Sequence, residues 1–173
     1  MSSKLKHILD ILEGVAPARL AEPWDNPGLQ VGGLEDQVSR ILIALDPTLD
    51  AVREASRRDS HLLITHHPLI FKPISFIEPT SYPGDVLHEA IRGGIALVCA
   101  HTNLDAARGG VNDLLAGLLG LTDLSVLEGS DDGEWGEGIG RIGALAKPLA
   151  LKEFVRHVKQ ALGAPLVGVV GSG

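Results

Sequence analysis

From residue 40 onward, apolar runs of strand length alternate with segments of helical spacing. The predicted strands and helices are, in chain order, strand 41–45, helix 49–58, strand 62–65, helix 85–92, strand 95–100 and helix 111–119. Strands that alternate with helices in this way are typical of βαβ units, which build a largely parallel sheet with helices on its faces. The pattern predicts an α/β fold: a three-layer αβα sandwich with a mostly parallel or mixed sheet.

The segment before residue 40 adds one helix and one turn-rich stretch. Apolar side chains recur at helical spacing from Leu5 to Leu12, and Ser3 precedes them as a candidate N-cap, so a helix is predicted that ends near Gly14. Prolines and glycines then interrupt the chain around Trp24 and leave room for a short strand at residues 29–31.

The last part of the chain has the pattern of a further unit. An acidic, glycine-rich stretch at residues 128–140 is predicted to be an exposed loop, and strand 141–145, helix 151–162 and strand 166–170 follow it. We therefore predict an α/β domain in residues 1–125 and the start of a second α/β unit in residues 126–173. No covering helix follows the last strand, so we expect the native chain to continue past Gly173.

Charge and composition exclude several classes of protein. The net charge of -7 and the pI near 5.4 disfavour a nucleic-acid partner, because a protein that binds phosphates normally has a basic face. Cys99 is the single cysteine, so neither an intrachain disulfide nor a thiolate metal cluster can form. No apolar run approaches the roughly 20 residues of a membrane span. We expect a cytoplasmic protein without a membrane partner.

Polar side chains follow three of the predicted strands directly. Asp46 follows the first strand, His66 and His67 follow the second, and His101 with Asp105 follows the third. Open α/β sheets bind ligands at the carboxyl ends of their strands. Adjacent residues point apart, so His66 and His67 can serve two metals, one each. Neutral imidazoles with a carboxylate suit zinc, iron, manganese, nickel or cobalt, and the sequence leaves the choice open.

A histidine at a strand end also has a simpler interpretation. Most such histidines are surface or core residues with satisfied hydrogen bonds. The second histidine turn, with an aspartate on the neighbouring strand, favours the metal site over this alternative.

Four motifs of this chain, in the same order and at the same spacing, resemble those of the Nif-three-like dinuclear metal centre family. Many members of that family are named GTP cyclohydrolase I type 2 homologues. The motifs are residues 24–32, beginning Trp-Asp-Asn-Pro-Gly; residues 65–69, Thr-His-His-Pro-Leu; residues 101–105 with 110–113 after them; and residues 138–143.

The resemblance implies specific ligands. His66 and His67 would each bind one of two divalent cations, and Asp105 would bind one of them. His101 would either be a ligand itself or orient Asp105 or a water molecule. Asp25 and Asn26 would either shape the pocket wall or belong to a loop held by local hydrogen bonds.

The chain departs from the family in one respect. The family completes its site with a His and a Glu near the C-terminus, and no such pair follows Asp105 here. His157 and Glu153 fall within the predicted helix 151–162 and suit a helix surface. We therefore expect the 173 residues to bind metal weakly or to leave the site empty.

The function expected from these residues is that of a metal-dependent hydrolase acting on a small polar substrate. GTP cyclohydrolase activity is implied by the resemblance alone, because the sequence has no Walker-type loop. The glycine pairs also form no dinucleotide fingerprint. The alternative is a non-catalytic metal-binding assembly or regulatory protein. The resemblance implies a homohexamer, which suits either function.

Overall fold

A four-stranded mixed sheet organises the first hundred residues. The computed structural model describes residues 2–129 and 136–171, and the chain divides into two compact units, residues 1–104 and 105–173. The elements of the first unit are, in order, β1 (Ser3–Lys4), α1 (Leu5–Val15), a 3-10 turn (Ala18–Leu20), β2 (Gly28–Val31), β3 (Gln37–Val38), β4 (Ile41–Ala44), α2 (Leu49–Arg57), β5 (Leu62–Thr65), α3 (Gly84–Gly93) and β6 (Ala96–Cys99). The helix α4 (Thr102–Ala106) spans the division between the units.

The sheet has the strand order β2-β6-β5-β4. Strands β4, β5 and β6 are parallel, and β2 pairs with β6 in the antiparallel direction. The mixed sheet confirms the predicted fold class. The alternation of strands and helices also confirms the predicted elements of this region, with ends that differ by a residue or two.

Both faces of the sheet are covered by helices, which makes the first unit three layers thick. On one face, α2 and α3 contribute Val52, Ala55, Val86, Leu87 and Ala90 to a core with Leu63 and Leu97. On the other face, Leu5, Ile8, Leu9 and Leu12 of α1 pack against Leu62 and Val98. Successive side chains of a strand point to opposite faces, so Leu62 and Leu63 join different cores. The continuous apolar sequences of β5 and β6 follow from this two-sided burial, whereas Ile41 and Ile43 of the edge strand β4 are exposed.

The beginning of α1 differs from the prediction. Ser3 does not cap the helix: Ser3 and Lys4 form β1 and pair with β3, and the N-cap residue is Lys4, which makes no side-chain cap. Backbone carbonyls replace the cap, since Asp36 O accepts from Leu5 N at 2.9 Å and Leu34 O accepts from Lys6 N at 3.0 Å. These bonds satisfy two amides that a helix leaves unpaired at its first turn.

The second unit contains α5 (Val111–Leu118), the antiparallel pair β7 (Thr122–Glu128) and β8 (Ile139–Ala144), and α6 (Leu151–Ala161). Strand β7 was not predicted, and residue 125, the predicted domain boundary, lies inside it. The predicted strand at residues 166–170 is wrong. These residues form no regular element, and Leu166 and Val170 are exposed. Residues 130–135 of the predicted loop 128–140 lie outside the described part of the chain.

A buried arginine of β8 connects the turn that precedes this strand to α5. The side chain of Arg141 is 4% exposed, forms an ion pair with Asp113, and donates to the carbonyl oxygens of Gly136, Gly138 and Gly140 at 2.7 to 2.8 Å. Gly138 has a φ of 137°, and a Cβ there would lie 2.5 Å from the carbonyl oxygen of Glu128. The glycines around Arg141 therefore serve the backbone geometry of this turn.

None of the helices in the described ranges has the length and the apolar composition needed to cross a membrane.

Truncating a buried side chain of β5 should destabilise the first unit. Leu63 is fully buried between the sheet and α2. We expect Leu63→Ala to lower the free energy of unfolding by about 2 to 5 kcal/mol through lost burial and the resulting cavity. Ile43→Ala on β4 is the control, because Ile43 is 76% exposed. Its loss should stay below about 1 kcal/mol. Urea unfolding followed by circular dichroism measures both, and equal losses would contradict this packing.

Asp113 should stabilise the second unit in a pH-dependent way. Burial raises its pKa, but hydrogen bonds from Arg141 and Gly109 outweigh this, so its pKa is below the ordinary 3.8. The contribution is therefore present above pH 3.8 and is lost as the pH falls through the lowered pKa. We expect Asp113→Asn to lower the free energy of unfolding by about 1 to 3 kcal/mol at neutral pH. The difference from the parent protein should be smaller at about pH 3. Urea titrations at both pH values test this.

The control for that measurement is Asp123→Asn. Asp123 is exposed and has a positive φ of 52°, which asparagine tolerates. A gap for Asp113→Asn that is unchanged between the two pH values would contradict the role of the carboxylate charge.

Candidate metal centre

The parallel register places the ends of three strands at one edge of the sheet. Thr65 is paired with Ala44 on one side and with Cys99 on the other. Two backbone hydrogen bonds continue the pairing past the strands: Ala100 N donates to Thr65 O at 3.0 Å, and His67 N donates to Leu45 O at 3.1 Å. The residues that follow β4, β5 and β6 therefore leave the sheet side by side.

Three histidines meet at this edge. The ring centroids of His66 and His67 are 5.0 Å apart, those of His66 and His101 are 5.1 Å apart, and those of His67 and His101 are 5.5 Å apart. Each ring offers one nitrogen to a group in which all ligand atoms lie within 4.8 Å of one another. Neutral imidazole is a ligand for zinc, iron, nickel, manganese and cobalt, so this group could hold a metal ion.

Each of the three rings has its Nδ1 atom next to an oxygen. His66 Nδ1 lies 2.9 Å from the carbonyl oxygen of Ala100, His67 Nδ1 lies 2.6 Å from Asp46 Oδ1, and His101 Nδ1 lies 2.9 Å from Asp25 Oδ1. Carbonyl and carboxylate oxygens only accept hydrogen bonds, so each Nδ1 carries the proton and donates. The lone pair of each neutral ring is then on Nε2. This is the tautomer of a metal-binding histidine whose other nitrogen is held by a carboxylate or a carbonyl.

The two carboxylates differ in their surroundings. The Asp46 side chain is 53% exposed, whereas that of Asp25 is inaccessible to solvent. Burial raises the pKa of Asp25. Hydrogen bonds from the side chains of Thr102 and His101 and from the backbone amides of Asn26 and Thr102 lower it by more than burial raises it, so the net pKa is below 3.8. Asp25 is therefore ionised at neutral pH despite its burial.

The loop that carries Asp25 is tied to the histidine turn of β5. Asn26 Nδ2 donates to Ile70 O at 2.6 Å, and Ile70 N donates to Gln30 Oε1 at 2.8 Å. Gln30 Nε2 in turn donates to Asn26 O at 2.9 Å. The sequence left open whether Asp25 and Asn26 shape the pocket or merely hold their own loop. The structure shows contacts with both histidine turns, at positions more than forty residues away in the chain.

Of the predicted site residues, the structure brings His66, His67 and His101 together in the first unit. Asp105 is the first residue of the second unit, and its backbone oxygen accepts from Asn112 Nδ2 at 2.8 Å. The carboxylate of Asp105 as a ligand therefore stays a prediction. So does the number of metal ions.

Sequence reasoning placed Asp46 at this edge without a role and assigned none of the hydrogen bonds to Nδ1. Position after a parallel strand was the available signal for Asp46. For Asp25 the signal was the motif in which it lies, because its contact with His101 joins residues 76 positions apart.

His157 and Glu153 each make a hydrogen-bond contact within the second unit. His157 Nε2 lies 2.8 Å from the carbonyl oxygen of Leu119, and Glu153 Oε2 accepts from Ala150 N at the start of α6. These contacts agree with the expected helix positions.

Comparison with known proteins places these features in context. The Duf34/NIF3 (NGG1p interacting factor 3) family matches residues 3–173. The chain is 38% identical over 161 residues to a GTP cyclohydrolase 1 type 2 homolog of Clostridium perfringens, covering 92% of this chain and 61% of that protein. It is 37% identical to a protein of the same name from Streptomyces coelicolor, covering 96% of this chain and 59% of that protein. The chain thus spans about three fifths of the length of these relatives.

Solved structures agree with the sequence matches. Staphylococcus aureus protein SA1388 superposes with a TM-score of 0.88 at 27% identity, covering 98% of this chain and 68% of that one. Reduced HcgD from Methanocaldococcus jannaschii superposes with a TM-score of 0.79 at 35% identity, covering 92% of this chain and 60% of that one.

Removing the charge of Asp46 should weaken metal binding through His67. The Asp46 carboxylate holds the proton on His67 Nδ1, and partners of this kind typically contribute about 10- to 100-fold to metal affinity. We expect Asp46→Asn to weaken zinc binding toward the lower end of this range, because Asp46 is half exposed. Competition titration with a chromophoric chelator measures the affinity.

The matched control is Asp50→Asn, which removes the same charge from the exposed first turn of α2. Equal losses of affinity in the two variants would show a general effect of charge and contradict the contact with His67.

Proposed function

This chain belongs to the Duf34/NIF3 family, and on that premise we propose that it forms a dinuclear divalent-metal centre that serves a metal-dependent hydrolase. The observation that carries the proposal is the group of three histidines whose Nδ1 atoms are all held by oxygen acceptors. Histidines that serve only packing have no need to carry their proton on the same ring nitrogen. One ring nitrogen from each of the three histidines lies within 4.8 Å of the other two, which favours a common ligand.

Two cations are proposed because the family resemblance implies a dinuclear centre and the chain supplies several imidazoles at one edge of the sheet. His66 and His67 are adjacent, and each would hold one cation. Asp105 is the proposed carboxylate ligand, four residues after His101 in the chain. The chemistry of this set, imidazole nitrogens with a carboxylate, fits zinc, iron, manganese, nickel or cobalt.

A divalent cation at this position would supply Lewis acidity, which polarises an oxygen of water or of a substrate. The chain's own residues would do the rest. Ala100 O, Asp46 and Asp25 keep the protons on Nδ1, so that the lone pair of each ring is on Nε2, where it could bind a cation. The two carboxylates also place negative charge behind the rings, which favours a cation in front of them.

Aromatic side chains next to the histidines support a substrate with a planar ring. The ring centroid of Trp24 lies 6.4 Å from that of His101 and 5.8 Å from that of Phe71, both in edge-on contacts. Trp24 is 58% exposed and Phe71 is 43% exposed. Exposed aromatic rings bind planar ligands by stacking. Nucleotides therefore belong in the substrate panel, together with simple phosphoesters.

The test combines metal binding and turnover. We expect His67→Ala to lose measurable zinc binding and any hydrolysis of the substrate panel, because the variant removes one of the three nitrogens. His7→Gln is the control, since His7 is an exposed histidine of α1. Isothermal titration and product chromatography give the two readouts. Turnover that survives unchanged in His67→Ala would contradict the hydrolase, and metal binding without turnover would support a non-catalytic metal-binding assembly or regulatory protein.

A separate experiment tests which residue after β6 is the principal metal ligand. We expect Asp105→Asn to cost more metal affinity than His101→Ala, because a carboxylate neutralises part of the charge of a dication. Competition titrations rank the two variants. Binding that is abolished by His101→Ala and kept by Asp105→Asn would identify His101 as the principal ligand and contradict Asp105 in that role.

A further inference from the structure

We propose that Asp25 is a positioning residue that determines which ring nitrogen of His101 carries the proton. The inference rests on the proposed metal-binding function, and it adds a residue from a distant loop to the machinery of that site. By holding the proton on Nδ1, Asp25 leaves the lone pair of His101 on Nε2. Without Asp25, His101 would be free to adopt the other tautomer, which offers a proton there instead of a lone pair.

The first argument is the burial of the carboxylate. The side chain of Asp25 is inaccessible to solvent, and that of His101 is 17% exposed. A buried carboxylate needs hydrogen-bond donors, because an unsatisfied charge in the protein interior is costly. Asp25 has four: Asn26 N at 2.8 Å, His101 Nδ1 at 2.9 Å, Thr102 N at 3.1 Å and the Thr102 hydroxyl at 2.5 Å.

The second argument is the rigidity of the partners. Three of the four donors come from residues 101 and 102, on the turn that carries His101. Thr102 is 6% exposed, and its hydroxyl oxygen also accepts from Glu22 N at 3.0 Å. The amide of Thr102 therefore keeps the carboxylate next to the imidazole of His101. Asp25 cannot turn away from His101 without losing its other bonds.

The third argument comes from comparing the three rings. Asp46, the acceptor of His67, is 53% exposed, so water can replace it, and the acceptor of His66 is a neutral carbonyl. Only the hydrogen bond of His101 combines a full charge with exclusion of water. Charge-assisted hydrogen bonds are stronger than neutral ones, and low local polarity increases the difference. The tautomer of His101 is thus the most firmly held of the three.

A purely structural role is the competing explanation. Asp25 accepts two hydrogen bonds from Thr102 at the start of α4, and this alone could explain its presence. The two roles differ in one observable property, the protonation of His101. A residue that only fastens the loop has no effect on the tautomer once the fold is kept.

The experiment reads the tautomer directly in metal-free protein labelled with nitrogen-15 in its histidines. Long-range proton–nitrogen correlation spectra at about pH 8, above the ordinary range of imidazole, distinguish protonated from unprotonated ring nitrogens. His101→Gln assigns the signals. In the parent protein we expect the proton of His101 on Nδ1. In Asp25→Ala we expect a mixture of tautomers or the proton on Nε2.

Thr102→Val is the matched variant, since it removes the hydroxyl bond to Asp25 and leaves the carboxylate next to His101. We expect it to keep the parent tautomer of His101. The His66 signals are the internal check of the fold, because the Ala100 carbonyl holds that ring independently of Asp25. Zinc titration of the same proteins should show a loss of about 10- to 100-fold for Asp25→Ala and a smaller loss for Thr102→Val.

Two results would overturn the proposal: a proton on Nε2 of His101 in the parent protein, or an unchanged tautomer in Asp25→Ala. The first needs no variant, so the proposal remains testable even if Asp25→Ala does not fold. Because the tautomer is measured without metal, the result judges Asp25 whether or not the protein binds zinc. The zinc titration of the parent protein is a separate readout, and it judges the proposed function without bearing on the role of Asp25.

Discussion

The candidate site depends on the parallel pairing of β4, β5 and β6. Parallel strands in register end at the same level, so the residues after Ala44, Thr65 and Cys99 leave the sheet at one edge. The two-sided core holds this register, because a shift by one residue would exchange the side chains that face α1 with those that face α2 and α3. The same burial that stabilises the sheet therefore brings His66, His67 and His101 within reach of one another.

Around these three rings, the groups that position the imidazoles come from other segments than the imidazoles themselves. The strand ends supply the imidazoles, and residues from elsewhere hold the Nδ1 protons: the Ala100 carbonyl on β6's continuation, Asp46 after β4, and Asp25 from the loop before β2. Asn26 and Gln30 fasten that loop to the turn after His67. The loop thus contacts both histidine turns, which gives the motif around Trp24 a physical role at the site.

Much of the fold could be predicted from the chain, and the reasons differ by region. The βαβ elements were visible because β4, β5 and β6 are each a short apolar run, and the helices between them have a regular apolar period. The strand β7 was missed because its side chains are mostly exposed and show no such run. The strand predicted at residues 166–170 was wrong for the complementary reason, since an apolar run becomes a strand only when a neighbour pairs with it.

At the site, the sequence by itself determined which side chains follow the strands, because that depends on local pattern and on Pro68 ending β5. It thereby predicted His66, His67, His101 and Asp46, together with Asp105, at one sheet edge. The structure brings the three histidines together, and the place of Asp105 stays a prediction. Only the tertiary structure decided which oxygen faces which ring nitrogen. Those contacts join residues 21, 34 and 76 positions apart. A hydrogen bond depends on distance and direction in space, and neither is encoded in the local pattern of a chain until packing brings its distant parts together.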